Sequence, residues 1–446
     1  MTRSISTYSE VEDRLDAEFY RVQYLELRKK IQKNAAIKLG SVVKSHGTGK
    51  AASYYPRSGE PILKVRNVQD GKINYNNTDY VPEGFYRDYP KALLSKGDII
   101  LTTTGEGSIG KVDFFWDDIE IGIVPELTKI TINDEKADPG FIYTFLRSKY
   151  GKPQFMRWIN RATGQTHLYF KDIENSLLIP ASSVEEQNKV GDLVRSSQEK
   201  YLRSKEKIDQ ASKILDSFSG LGQSNFISRK TYTSTYSGLE DRIDTEFYQP
   251  KYNQLFADLN KIGGKKIKVF QTFNKRGIQP IYTGNAGQYK ALTSQYIRDD
   301  DIDYHPLPTV TNSCFSGSKD LHLRYGDIVT YATGAYVGRT HVWLEKNIKA
   351  VASNHVNLLR VSGLNAIFVG FVLNSFIGQL QIRRLISGAA QAELYPINID
   401  EIIVPFAPEK VQKEIANLYI ESHTLREESA KLLKLSEAMI EAIVEK

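Results

Sequence analysis

Residues 6–20 read STYSEVEDRLDAEFY and residues 234–248 read STYSGLEDRIDTEFY, with eleven of the fifteen positions identical. The copies lie 228 residues apart, each at the start of its own half of a 446-residue chain. Working outward, the match continues at similar spacing. Gly97-Asp98-Ile99-Ile100 recurs as Gly326-Asp327-Ile328-Val329, Thr104-Gly105 as Thr333-Gly334, and Gly110-Lys111 as Gly338-Arg339. Leu168-Tyr169 recurs as Leu394-Tyr395, and Ile179-Pro180 as Val404-Pro405. The period far exceeds the roughly 20–50 residues of solenoids and propellers. The repeating unit is therefore a whole domain followed by a helix.

Within the first copy, residues 37–180 alternate short apolar stretches with Gly, Asn, Asp and Pro clusters: IKLGSVV, PILKVRNV, GDIILTTT, KVDFFW, GIVPELTKITI and NSLLIP. Short strands divided by turn signals predict a mostly β domain. The spacing predicts one helix inside it over 141–159, and the second copy repeats the order with a helix over 366–385. Each unit thus reads as a β-rich α+β domain.

The tails differ in kind. Residues 184–218 carry bulky side chains every seven positions at Val194, Tyr201, Ile208 and Leu215, beside a smaller series Val190, Ser197, Ser204, Ala211 and Phe218. In residues 409–444 the bulky series is Leu418, Leu425, Leu432 and Met439, and the small-centred one Ile415, Ser422, Ser429, Ser436 and Ile443. Both satisfy a heptad stripe. Paired antiparallel, bulky layers would meet bulky layers and carry most of the burial, and serines would meet Ser or Ala. The alternative is that each helix packs on its own domain. A 35-residue helix is about 52 Å long, so the pair would act as a ruler between two domains related by a pseudo-twofold axis. The expected division is a first domain over 1–180, a central spacer helix over 181–222, a second domain over 223–407 and a C-terminal spacer helix over 408–446.

Composition narrows the class. Apolar content of 41% and charged content of 25% suit a globular protein with two or three cores. A single cysteine, Cys314, excludes a disulfide framework and a cysteine zinc site, and fits a reducing cytoplasm. Neither a bilayer-length apolar run nor a hydrophobic signal core is present, so no membrane association is expected. Net charge of +6 leans toward polyanions. Tyrosine, at 26 residues, clusters with Lys, Arg and small polar residues in KSHGTGKAASYYPR (44–57) and NKRGIQPIYTGNAGQYK (274–290). Such segments are either ordinary surface loops or a surface for phosphates and base edges.

Two nucleotide-binding motifs fail in context. Gly105-Glu106-Gly107-Ser108-Ile109-Gly110 spells G-x-G-x-x-G, but Val112 stands where a P-loop needs Ser or Thr, and VDFFWDD reads as a strand where both motifs need a helix N-terminus. The second copy, Gly334 to Arg339, loses the middle glycine. A glycine-rich strand-turn-strand accounts for both. The seven histidines lack metal-ligand spacing, and no catalytic constellation or methyltransferase loop is present. The chain reads as a binder.

Taken together, RLDAEFY and RIDTEFYQPKY, GDIILTTTGEGSIGK with GDIVTYATGAYVGR, and IPASSVEEQ leading into a long helix resemble the specificity subunits of type I restriction-modification systems over nearly the whole chain. The resemblance implies two target recognition domains, each reading half of a split, asymmetric site in double-stranded DNA. It implies coiled-coil conserved regions between them and no catalysis or cofactor in this chain. Partners would be two adenine methyltransferase subunits, which bind S-adenosylmethionine, and restriction motor subunits held through them. The helical ruler would then set the spacer between half-sites about one DNA turn, roughly 34 Å, apart.

On that reading, base edges and phosphates would be met in the first domain by Lys44, His46, Lys50, Tyr54, Arg57, Thr104, Arg161, Gln165 and His167. In the second they would be met by Lys275, Arg276, Tyr289, Thr333, Arg339, Arg384 and Gln391. Gln165 could read adenine or cap a turn after Gly164. Asp13-Arg14 with Asp16, and Asp241-Arg242 with Asp244, occur in both halves and are assigned to anchoring. Three rivals remain: a specificity subunit of a type IIB enzyme, distinguishable by the partner's sequence; a two-headed protein scaffold without DNA, which salt-dependent duplex binding would oppose; and a self-contained enzyme, which the failed motifs oppose.

Overall fold

In the computed structural model of the chain, residues 18–446 are described except 34, 77, 160–165, 223–225, 227, 230, 234–241, 243, 285, 286, 389 and 390. Most of the repeated opening stretch, with Asp13, Arg14, Asp16 and Asp241, lies outside the described residues, as do Arg161 and Gln165. Two compact units emerge: the chain up to Leu202 together with Leu425–Lys446, and Arg203–Thr424.

Among the described residues the first unit holds nine strands: β1 (Ala36–Lys38), β2 (Val43–Thr48), β3 (Glu60–Leu63), β4 (Asp79–Val81), β5 (Ile99–Thr102), β6 (Val112–Phe114), β7 (Gly122–Ile123), β8 (Leu127–Ile132) and β9 (Leu178–Pro180). An antiparallel sheet runs β2-β8-β5-β6, a second runs β4-β3-β7 with β3 parallel to β7, and β1 pairs with β9. The second unit holds β10 (Lys265–Lys266), β11 (Gln271–Arg276), β12 (Tyr289–Leu292), β13 (Ile328–Tyr331), β14 (Thr340–Val342), β15 (Lys349–Ala352), β16 (Val356–Val361) and β17 (Ile403–Val404). Its sheet order is β11-β16-β13-β14, with β12 parallel to β15 and β10 paired to β17. Strand for strand this is the first unit again; only β4 lacks a counterpart among the described residues.

The repeated Gly-Asp explains itself locally. Gly97 and Gly326 sit at φ +94° and +91°, a left-handed conformation that glycine alone adopts freely. The buried Asp98 and Asp327 carboxylates accept from the Ser95 and Arg324 backbone amides at 2.8 and 2.9 Å, closing the turn that aims β5 and β13 into the core.

One expectation is corrected. The helices read over 141–159 and 366–385 are each two pieces, Pro139–Arg147 with Lys152–Met156, and Ala366–Asn374 with Phe376–Leu385, the latter pair bent by 67°. Ser148 and Ser375 leave the helical region at ψ 164° and 169°, and each hydroxyl donates back to a carbonyl three residues earlier at 2.7 Å. Gly151 and Gly378 then let the chain turn against itself, since a Cβ would lie 1.9 Å from the Phe145 oxygen or 2.3 Å from that of Val372. Gln154 and Gln381, on the second pieces, exchange paired hydrogen bonds of 2.8–2.9 Å with Leu178 of β9 and Ile403 of β17. No single helix among the described residues is long and apolar enough to cross a membrane.

Two long helices, Val184–Ser219 and Glu409–Glu445, each contribute a segment to both units. In the first unit the Ser197 hydroxyl donates to the Ser429 carbonyl at 2.9 Å, the two hydroxyls share a second 2.9 Å bond, and Lys200 pairs with Glu428 at 2.6 Å. In the second, Ser422 Oγ donates to the Ser204 carbonyl at 2.8 Å and Lys207 pairs with Glu421 at 2.7 Å. Within each unit the segments therefore run antiparallel with serine facing serine. The distribution of burial differs from the simple heptad reading. Val194, Tyr201 and Leu215 are buried and Ile208 half-buried, but Leu418, Leu425, Leu432 and Met439 are all half-buried. On the terminal helix burial falls to Ile415, Ala416, Tyr419, Ile440, Ile443 and Val444, which join the cores of the β domains. Helix pairing and domain packing share one broad face, so the buried stripe is rotated from the leucine line.

Candidate nucleic-acid interface

β2 is the edge strand of its sheet, and Lys44 and His46 on it are exposed, as is Lys275 on the matching edge strand β11. His46 lies 3.6 Å from Glu174 with its ring tilted against Phe170, and Lys275 stands 5.5 Å over the Phe273 ring. Each edge strand ends in a glycine pressed onto the second sheet. A Cβ at Gly49 would lie 1.8 Å from the Ile123 carbonyl, and one at Gly277 2.1 Å from that of Ala352. The segment after each glycine begins bonded to that sheet, the Lys50 amide donating to the Ile123 carbonyl at 3.0 Å and the Ile278 amide to that of Ala352 at 3.1 Å.

In the first unit that segment is basic and aromatic. The Lys50 ammonium sits 4.9 Å over Tyr89, Tyr54 is 60% exposed, Arg57 is exposed, and Lys64 covers Tyr55 at 3.5 Å. Beside it runs a groove of about 410 Å³ lined by Ala51, Ala52, Ser53, Pro82, Phe85 and Tyr89. Cations held against ring faces, with backbone and hydroxyl groups between them, suit a polyanion carrying flat bases. In the second unit Tyr289 is half-buried, stacked on Phe315 at 4.1 Å, which stacks in turn on His322 at 3.7 Å.

A second locus forms where the glycine-rich turn leaves the sheet. Gly105, Gly110, Gly334 and Gly338 all have positive φ, which accounts for their recurrence without any phosphate-binding role. Thr104 bridges to His167, whose Nδ1 lies 3.2 Å from the Thr104 hydroxyl, and the buried Thr333 bridges to Glu393 in the same way. Tyr169 and Tyr395 project beside these bridges, 57% and 44% exposed.

Several cations chosen from the sequence prove to hold the domain together. The Arg276 guanidinium donates to Thr333 Oγ1 at 2.8 Å and to the Leu394 carbonyl at 3.1 Å, and lies 3.5 Å from Glu393. Arg339 pairs with Asp299 and covers the Tyr336 ring at 3.8 Å. Arg384 stacks on Phe247 at 3.7 Å and donates to its carbonyl. Gln391 is exposed. Arg242 bonds Asp244 at 2.8 Å and the Ile386 carbonyl at 3.0 Å, an anchor between the repeated stretch and the chain that follows the bent helix. Sequence reading passed over Tyr55, Tyr89, Tyr169, Tyr336, Tyr395 and Glu393; the recurring Leu-Tyr pair was the signal for Tyr169 and Tyr395.

Two electrostatic features stand out. A hydrogen bond from the Tyr395 hydroxyl and the nearby Arg276 charge hold the Glu393 carboxyl below its usual range. Burial pushes Asp113 of β6 up to about 7 despite amide bonds from Gln69 and Gly71. Among the described residues no cluster of His, Cys, Asp or Glu could hold a metal ion.

No family model matches the chain. Over 192 residues it is 28% identical to the type I restriction enzyme MjaVIII specificity subunit of Methanocaldococcus jannaschii. This stretch of the chain is similar to that specificity subunit. The match covers 40% of this chain and spans 43% of that relative's length. Two solved structures align over 92% of the chain. The type I restriction-modification S subunit from M. genitalium aligns over 94% of its own length at TM-score 0.42 and 13% identity, and the HsdS subunit from Thermoanaerobacter tengcongensis over 95% at 0.30 and 16%.

Proposed function

We propose that this chain is the DNA-specificity subunit of a type I restriction-modification complex. Each unit reads one half of a bipartite, asymmetric site in duplex DNA, and the paired long helices set the spacer. The observation that carries the reading is one strand order built twice, with a shared frame of glycines, buried aspartates and glutamine clamps but different side chains on the exposed edge strands and loops. Two copies of one reader with different reading groups fit two different half-sites.

Affinity would come from exposed lysines and arginines such as Lys44, Lys50, Arg57 and Lys275, and specificity from base-edge contacts in the major groove. The chain itself performs no chemistry. Two adenine methyltransferase subunits carrying S-adenosylmethionine, with restriction motor subunits held through them, would act on the site it selects in the cytoplasm. A type IIB partner would use the same chain in the same way. The test is enrichment from a pool of random duplexes at several salt concentrations. A two-part motif whose binding weakens steeply with salt supports the reading, and salt-insensitive binding without a motif favours a scaffold.

A further inference from the structure

The two units can be compared position by position, because their backbone bonds match. The Leu168 amide donates to the Thr103 carbonyl at 2.9 Å, and the Leu394 amide to the Ala332 carbonyl at the same distance. His167 and Glu393 therefore occupy one site of the frame, each bridged to an equivalent threonine, Thr104 or Thr333. Gly49 and Gly277 likewise both donate to the chain entering β8 or β16, at 3.2 and 3.0 Å, which makes Thr48 the counterpart of Arg276. Both bridging threonines and both neighbouring tyrosines are common to the units. What changes is the chemistry between them: a hydroxyl and an imidazole in the first unit, a guanidinium and a carboxylate in the second.

On the DNA-recognition reading above, we infer that Glu393 is a specificity-determining residue of the second unit, accepting a hydrogen bond from an exocyclic amino group of cytosine or adenine, and that His167 fills the same role in the first. A carboxylate repels phosphate, so on a face turned toward DNA its favourable partner is a base-edge donor, and the major groove offers those on cytosine N4 and adenine N6. Glu393 is partly exposed and is oriented by Arg276 at 3.5 Å, Thr333 Oγ1 at 3.4 Å and the Tyr395 hydroxyl. The Tyr395 bond and the Arg276 charge keep it ionised and hence purely an acceptor. Arg276, committed to internal carbonyls, acts as a positioning residue for the carboxylate.

The test uses the full chain and a duplex library randomised across both half-sites. Glu393→Gln adds an amide donor in nearly the same shape. It is expected to change the preferred base within one half of the motif, to weaken binding to the original site on the order of tenfold, and to leave the other half unchanged. His167→Glu is expected to change the opposite half. Thermal melts of both variants show that each is folded. A folded Glu393→Gln protein with the wild-type preference in both halves overturns the assignment, as does a loss spread evenly over both. Wild-type protein that enriches no sequence removes the DNA-recognition reading itself, and the assignment with it.

Discussion

Ser429→Glu tests the helix pairing most sharply. Ser429 is 6% exposed and faces Ser197, which is 0% exposed; the pair shares two bonds of 2.9 Å. Losing those bonds costs about 0.5–1.5 kcal/mol each. The longer side chain must also enter a layer sized for two serines, at about 1–3 kcal/mol of overpacking. The total is about 2–6 kcal/mol, a large share of the roughly 5–15 kcal/mol that holds a domain folded. For a unit of this size each kcal/mol moves the melting midpoint by about 2–4 °C, so a fall of roughly 4–24 °C is expected for the first unit by circular dichroism or calorimetry. Ser197→Ala combined with Ser429→Ala removes both polar partners and should stay within about 1 kcal/mol of wild type. A Ser429→Glu protein melting within about 2 °C of wild type would refute the tight serine layer.

Three further outcomes follow from the same geometry. Gly49→Ala and Gly277→Ala should each destabilise their own unit by about 3 kcal/mol, because backbone carbonyls stand where the Cβ must go; calorimetric melts resolve this. Asp113, with a folded value of about 7 raised above its ordinary 3.8, binds more protons folded than unfolded, so its contribution to stability is full below about pH 4 and is lost as pH rises toward 7. Asp113→Asn should flatten that slope in denaturant titrations at several pH values. Lys275→Ala should weaken binding to all duplexes and reduce the salt slope by about 1, whereas Arg276→Ala should lower the second unit's melting temperature as well, because it orphans Thr333, Glu393 and backbone carbonyls.

The duplication, the α+β class and the antiparallel helix pairing were all legible in the residues, because repeated glycines at positive φ and serines at seven-residue spacing leave direct marks. The breaks at Ser148 and Ser375 were not. Each needs one extended residue inside an otherwise helical apolar pattern, and the glycine contact that permits it is tertiary. The rotation of burial away from Leu418, Leu425 and Leu432 was hidden for a related reason: heptads report a two-helix seam, while this seam is shared with a domain core. Among the proposed reading residues, exposed ones such as Lys44, Lys50 and Tyr54 stand out by composition alone. Arg276, Arg339 and Arg384 look the same in sequence, and only their ring faces and internal acceptors set them apart. Glu393 escaped notice because a carboxylate in a basic protein reads as ordinary surface until its equivalence with His167 is visible.

The most direct test of the central claim is to co-express the chain with an adenine methyltransferase subunit of the kind proposed and map N6-methyladenine across the host genome by single-molecule sequencing. A split asymmetric motif, of which one half alone changes when one unit is exchanged for that of another subunit, is the predicted result. A stable complex that binds S-adenosylmethionine yet leaves no sequence-specific methylation would contradict the account.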